Sequence, residues 1–100
     1  MAAKLLFTSE THQDLDEAFE WYERRRLGLG EEFLIEVADC IDSVCANPEL
    51  RPKVVDEYRQ AIVHRFPYSV IYGYKGGSVT VYAVVHNARD PRVLRRRLGH

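Results

Sequence analysis

RQAIVHRFPYSVIYGYKGGSVTVYAVVH, residues 59–86, is the stretch that decides the fold. Its apolar side chains recur at a period of two, and it is rich in Val, Ile and Tyr, which suit a pleated surface. Three strands are expected, over 59–66, 68–74 and 78–86. Phe66-Pro67 separates the first two, and Lys75-Gly76-Gly77 supplies the glycines that a tight hairpin turn needs for positive φ. Links this short force an antiparallel meander.

Upstream the period lengthens. Leu15, Ala18, Phe19 and Tyr22 recur at helical spacing, after Ser9 or Thr11 as a cap and with Thr11 and Asp14 placed for a capping box. This helix closes on Arg24-Arg25-Arg26, and Gly28 and Gly30 break the chain. A second helix is expected over about 31–46, because Phe33, Leu34, Val37, Ala38, Ile41, Val44 and Cys45 form a continuous apolar stripe. Asn47-Pro48 ends it. The Leu-Gly-Leu-Gly link makes the two helices an antiparallel hairpin. Lys4 to Thr8 reads as an opening strand, and Pro91 starts a short tail helix. The order is β-α-α-β-β-β-α: an α+β domain with a helical hairpin packed on a mainly antiparallel sheet.

At 100 residues, 46% of them hydrophobic, the chain is sized for one domain, 1–100, with a modest core. No run approaches the ~18 apolar residues of a membrane span, and MAAKLLFTSE is too weakly apolar for a secretion signal. The expectation is a cytoplasmic protein without a membrane partner. Cys40 and Cys45 stand five apart in a helical pattern, on different faces, so reduced thiols are expected. No Cys/His cluster offers a metal site, and no cofactor is expected.

The formal charge of −1 hides an asymmetry. Residues 1–50 hold 4 basic and 12 acidic side chains; residues 51–100 hold 10 basic and 3 acidic. The balances, −8 and +7, imply a basic face for an acidic partner, unless the halves neutralise each other in the fold.

The strand order and its motifs resemble the RelE/ParE toxin family of type II toxin–antitoxin systems. RQAIVHRFPYSVIYGY is similar to the family's arginine-led strand, Pro-Tyr turn and strand ending in tyrosine. VYAVVHNARDP resembles its hydrophobic strand followed by histidine, arginine and Asp-Pro. The acidic first helix ending in Trp21-Tyr22, and Asn47-Pro48 after the second, also fit. The resemblance covers essentially the whole chain. It implies a cognate antitoxin, a toxin–antitoxin hetero-oligomer, and one of two activities. RelE-like members cut messenger RNA on the ribosome without a metal, and ParE-like members bind and poison DNA gyrase.

Metal-free RNA cleavage needs a base for the 2′-hydroxyl, a cation for the phosphorane and an acid for the leaving oxygen. The candidates for that set are Arg59, Arg65, His86 and Arg89. The set is incomplete: Ser69 stands where nucleases tend to carry arginine, Gln60 and Ile62 where lysines are wanted, and the tail has no tyrosine, only His100. Arginine is a poor general base. His86 is the one sharp candidate for proton transfer, although a strand-end imidazole also serves simply to fix a turn. For binding target or antitoxin the candidates are Arg59, Arg65, Tyr68, Tyr72, Tyr74, Arg89, Arg92, Arg95, Arg96 and Arg97. The three tyrosines share one strand face, suited to nucleobase stacking, to the core or to an antitoxin. Arg89 suits a phosphate clamp or, equally, a local pair with Asp90 that pins the turn. The expected function is a non-enzymatic, ParE-like inhibitor of gyrase that arrests growth. The alternatives are a ribosome-dependent ribonuclease acting on messenger RNA, and a basic binding module without toxicity.

Overall fold

The structure, a computed structural model, describes residues 3–99. In chain order the elements are β1 (Lys4–Phe7), α1 (Ser9–Arg25), α2 (Leu29–Ala46), β2 (Lys53–Val55), β3 (Tyr58–Ile62), β4 (Tyr68–Lys75), β5 (Ser78–His86) and α3 (Pro91–Arg97). The strands lie in the order β1-β5-β4-β3-β2, with β1 parallel to β5 and every other neighbour antiparallel. The α+β architecture and the meander are as expected, with one addition. The three-residue edge strand β2 is too short to show a period and is not visible in the sequence.

Local chemistry sets the boundaries. β3 stops at Ile62 rather than running on to Phe66, because Arg65 takes a left-handed φ of 71° and Phe66 turns inward, 8% exposed. The hairpin between β4 and β5 uses positive φ at both Gly76 and Gly77, the conformation an L residue resists. α1 is capped by Thr8, whose hydroxyl oxygen accepts from the Thr11 N–H, not by Ser9 or Thr11. The expected capping box is absent: Thr11 is fully buried and donates its hydroxyl to the Val81 carbonyl at 2.9 Å. α2 begins at Leu29, two residues before expectation, and the Glu23 carboxylate accepts from the N–H groups of Gly28 and Gly30, both at 3.0 Å. Gly30 has no room for a side chain; a Cβ there would lie 2.8 Å from the Phe19 carbonyl oxygen. That close approach lets the two helices pack side by side.

The α1–α2 hairpin covers one face of the sheet. Phe33, Val37, Ile41 and Val44 meet Val70, Tyr72, Val79, Val81 and Val84 in the main core. On the other face Ile71 and Ala83 are covered by Leu94 of α3 and by Leu98, which caps its end. The pairing of β4 with β5 steps from Ile71↔Ala83 to Tyr72↔Val81, which leaves Tyr82 without an opposite residue. This bulge shifts the phase of β5, so Val79 and Val81 face the helices before it and Val84 after it. Cys40 and Cys45 are free and buried, and burial raises both thiol pKa values.

Ile41, at 4% exposure, tests the stripe on α2. Ile41→Ala is expected to cost about 2–4 kcal/mol in denaturant unfolding. A loss under about half a kcal/mol would mean that α2 does not seat on the sheet.

Candidate functional site

β1 ends at Phe7, whereas β5 continues to His86. Among the described residues the outer edge of β5 beyond Val81 therefore has no strand beside it, and side chains of α1 take over. Thr11 binds the Val81 carbonyl, and one Asp14 oxygen accepts from the Val84 N–H at 2.9 Å. The same carboxylate receives both terminal nitrogens of Arg97, at 2.8 and 2.7 Å. This forked pair is 16% and 18% exposed and joins residues 83 apart in the chain. It ties α3 around the open edge of the sheet to α1.

Beside this clamp lies a cleft of about 320 Å³ between α1, the end of β5 and the loop into α3. Asp14, Trp21, Tyr68, His86 and Arg89 line it. Trp21 is 52% exposed, and the Arg25 guanidinium stacks 4.0 Å from its ring centroid. The Tyr68 and His86 rings meet edge to face, centroids 5.3 Å apart. Burial raises the Tyr68 pKa, with Tyr22 and Asp14 adding to it. The His86 Nδ1 accepts from the Ala88 N–H at 3.0 Å and so fixes the turn after β5. Arg89 donates to the His86 carbonyl at 3.1 Å, and its buried Nε has no hydrogen-bond partner among the described residues. Burial lowers the Arg89 pKa despite the pull of Asp14, but a guanidinium stays charged. The result is a half-buried permanent cation beside an exposed indole, an arrangement suited to a macromolecular contact.

The remaining sequence candidates scatter. Arg59 points its guanidinium at the backbone carbonyls of Glu49 and Arg51, pinning the segment after α2. Arg65 binds Glu32 at 3.0 Å and Glu36 at 3.5 Å, and holds the Glu32 pKa below the ordinary value, with Arg26 helping. Neither Arg59 nor Arg65 lines the cleft.

Tyr72 is a correction to the expected binding row. It has no exposed surface, and its phenol donates to the Pro48 carbonyl at 2.9 Å. Tyr68 and Tyr72 do share a face, but the helices cover most of it: Tyr68 shows only its part in the cleft, and Tyr74, 36% exposed, reaches water at the strand's end. Asp90 is a second correction. It pairs with Arg92 at 2.9 Å, not with Arg89, and caps α3 by accepting from the Arg92 N–H. Arg97 is a third, being spent on Asp14. Arg95 and Arg96 are exposed and, with Arg89, have no carboxylate partner among the described residues. The charge asymmetry thus cancels in part inside the fold. His100 lies outside the described residues.

Asp14 and Trp21 are the site residues the sequence concealed. Asp14 is one carboxylate among many on an acidic helix. Nothing local marks the one that meets a strand edge formed some 70 residues later.

A solved structure described as "Chromosomal ParDE TA system from P. aeruginosa" superposes with a TM-score of 0.76 at 17% identity, covering 85% of this chain and 96% of that one. That likeness is one of fold. No curated protein matches the chain by sequence. Residues 5–91 match the family described as "ParE toxin of type II toxin-antitoxin system, parDE". The class is therefore the type II toxin. The chain belongs to the ParE toxin family.

Proposed function

We propose that this chain is the toxin of a type II pair that arrests growth by binding DNA gyrase, without cleaving RNA, until a cognate antitoxin masks it. The observation that carries the non-enzymatic part is the dispersal of the basic candidates. Arg59 and Arg65 are engaged away from the cleft, and Arg97 is locked to Asp14. His86 spends Nδ1 on its own turn. What remains at the cleft, Arg89 and Trp21, is equipment for binding rather than proton transfer.

An antitoxin segment has its own place to dock, apart from the cleft. β1 is an edge strand carrying exposed Leu5, Leu6 and Phe7. A groove of about 190 Å³ runs beside it, lined by Leu5, Phe7, Leu15, Leu34, Val37 and Ile41 among others. An unpaired strand edge next to an apolar groove accepts a strand or an amphipathic helix. This replaces the tyrosine-bearing face as the expected seat, since that face is covered.

The test uses growth arrest on induction, gyrase supercoiling, and messenger cleavage on programmed ribosomes. His86→Gln is expected to leave arrest and gyrase inhibition within a few-fold of wild type. Arg89→Ala is expected to weaken both by roughly tenfold or more, the scale of a lost charged anchor. Messenger cleavage by the wild type that falls roughly 10²–10⁴-fold in His86→Gln, with supercoiling untouched throughout, would overturn the reading.

A further inference from the structure

The face of the sheet opposite the helical hairpin is only partly covered. α3 caps Ile71 and Ala83, and the far end of β3, β4 and β5 stays open. There a cavity of about 610 Å³ is lined by Asp56, Glu57, Tyr58, Gly73, Thr80 and Tyr82. We propose that this cavity binds a guanidinium group, supplied by a small organic cation or by an arginine side chain of a partner. The inference rests on the cavity alone and stands whatever the toxin's target.

Gly73 makes the floor. It sits within β4 opposite Thr80, and its φ is not positive, so the backbone there does not require glycine. What glycine supplies is room for the Tyr82 ring, from which a Cβ would stand 3.2 Å. A bare peptide in the middle of a strand lets that ring lie close to the sheet and sets one side of the cavity. Tyr58 and Tyr82 form the walls, centroids 5.1 Å apart at 87°, so that the edge of one ring meets the face of the other. Such a corner offers a π-face to a cation and phenol oxygens as acceptors.

Charge selects the ligand. Residues 51–100 carry only three carboxylates, Asp56, Glu57 and Asp90, and two of them line this cavity. Asp56 and Glu57 form the link between β2 and β3. Glu57 holds Lys53 at 2.7 Å, but its side chain is 83% exposed, and a pair in open water exchanges readily for a better-placed cation. Lys75 also lines the cavity, on an exposed hairpin where its long stem can swing the ammonium away. A guanidinium is flat enough for the floor, cationic enough for the rings, and forked for carboxylates. A nucleotide shares the flatness, but it brings a phosphate against Asp56 and Glu57.

The experiment follows backbone amides of the whole chain by NMR while adding agmatine, a capped Gly-Arg-Gly peptide, counterparts of each in which a urea replaces the guanidinium, or adenosine monophosphate. Agmatine is expected to shift the amides of Gly73, Thr80 and Glu57, with the urea counterpart at least roughly tenfold weaker. Equal affinity for agmatine and the peptide would assign recognition to the side chain alone. Tighter binding of the peptide would assign it to a partner's arginine. Asp56→Asn with Glu57→Gln is expected to weaken binding about tenfold, and Gly73→Val to abolish it in a chain whose spectrum stays dispersed. Tyr82→Leu, which leaves the floor open, repeats the test should Gly73→Val unfold. Urea counterparts binding as well as the cations, adenosine monophosphate binding in preference to them, or binding unchanged in both Gly73→Val and Tyr82→Leu would overturn the proposal.

Discussion

Asp14→Ala is expected to destabilise the domain by about 2–4 kcal/mol, as much as a large core truncation, although only a single carboxylate is removed. The carboxylate answers the Val84 N–H and both terminal nitrogens of Arg97. Without it, a donor on the open edge of β5 and a guanidinium that is 18% exposed both lose their acceptor. Leaving buried donors unmet costs more than an average hydrogen bond gains. Asp14→Asn should fall between, since its amide oxygen still accepts but the charge is gone. Asp14→Ala combined with Arg97→Leu should cost less than Asp14→Ala alone, because the stranded cation has been removed. Urea unfolding of the four proteins measures this. A loss within about half a kcal/mol for Asp14→Ala would show the clamp to be ornamental.

The second large effect lies in the core. Phe33 is fully buried, and its ring meets Tyr22 at 5.2 Å, Phe66 at 5.3 Å and Tyr68 at 4.9 Å. Phe33→Ala is expected to cost about 3–5 kcal/mol, from lost transfer energy and from the cavity left between α1, α2, β4 and the turn before β4. Phe33→Leu, which keeps most of the volume, should cost under about 2 kcal/mol. Because Tyr68 also lines the cleft, Phe33→Ala should lower the near-ultraviolet circular dichroism signal even in the fraction that stays folded. A cost below about 1 kcal/mol would place Phe33 outside the core.

What the sequence showed and what it hid divide along a physical line. Period and turn chemistry are local, so the apolar stripe of α2, the Gly76-Gly77 hairpin and Pro91 at the start of α3 were readable and stand in the structure. Contacts across the chain are not local. Tyr68, Tyr72 and Tyr74 advertise a common face, but nothing in their spacing says that helices cover it and that the open face belongs to Tyr58 and Tyr82. Arg97 reads as one more base in a tail of four arginines, and only the fold reveals that it is the one held by Asp14. The bulge at Tyr82 was equally hidden, since an extra residue in one strand shows only against its partner.

The clamp has a consequence for how the chain is born. The helical hairpin emerges from the ribosome directly after β1, its Phe33, Val37, Ile41 and Val44 stripe finished but with no sheet to lie on. β1 must wait for β5, its strand neighbour, and Asp14 waits longer still for Arg97. Closure entropy for such distant pairings is spent before any contact repays it, so folding is slow relative to a helical protein of this size. During synthesis the nascent chain displays a greasy helix pair and an unpaired strand, the features by which a partner present nearby can capture it. A toxin assembled in this sequence passes through its most adhesive form before its arginine cleft exists.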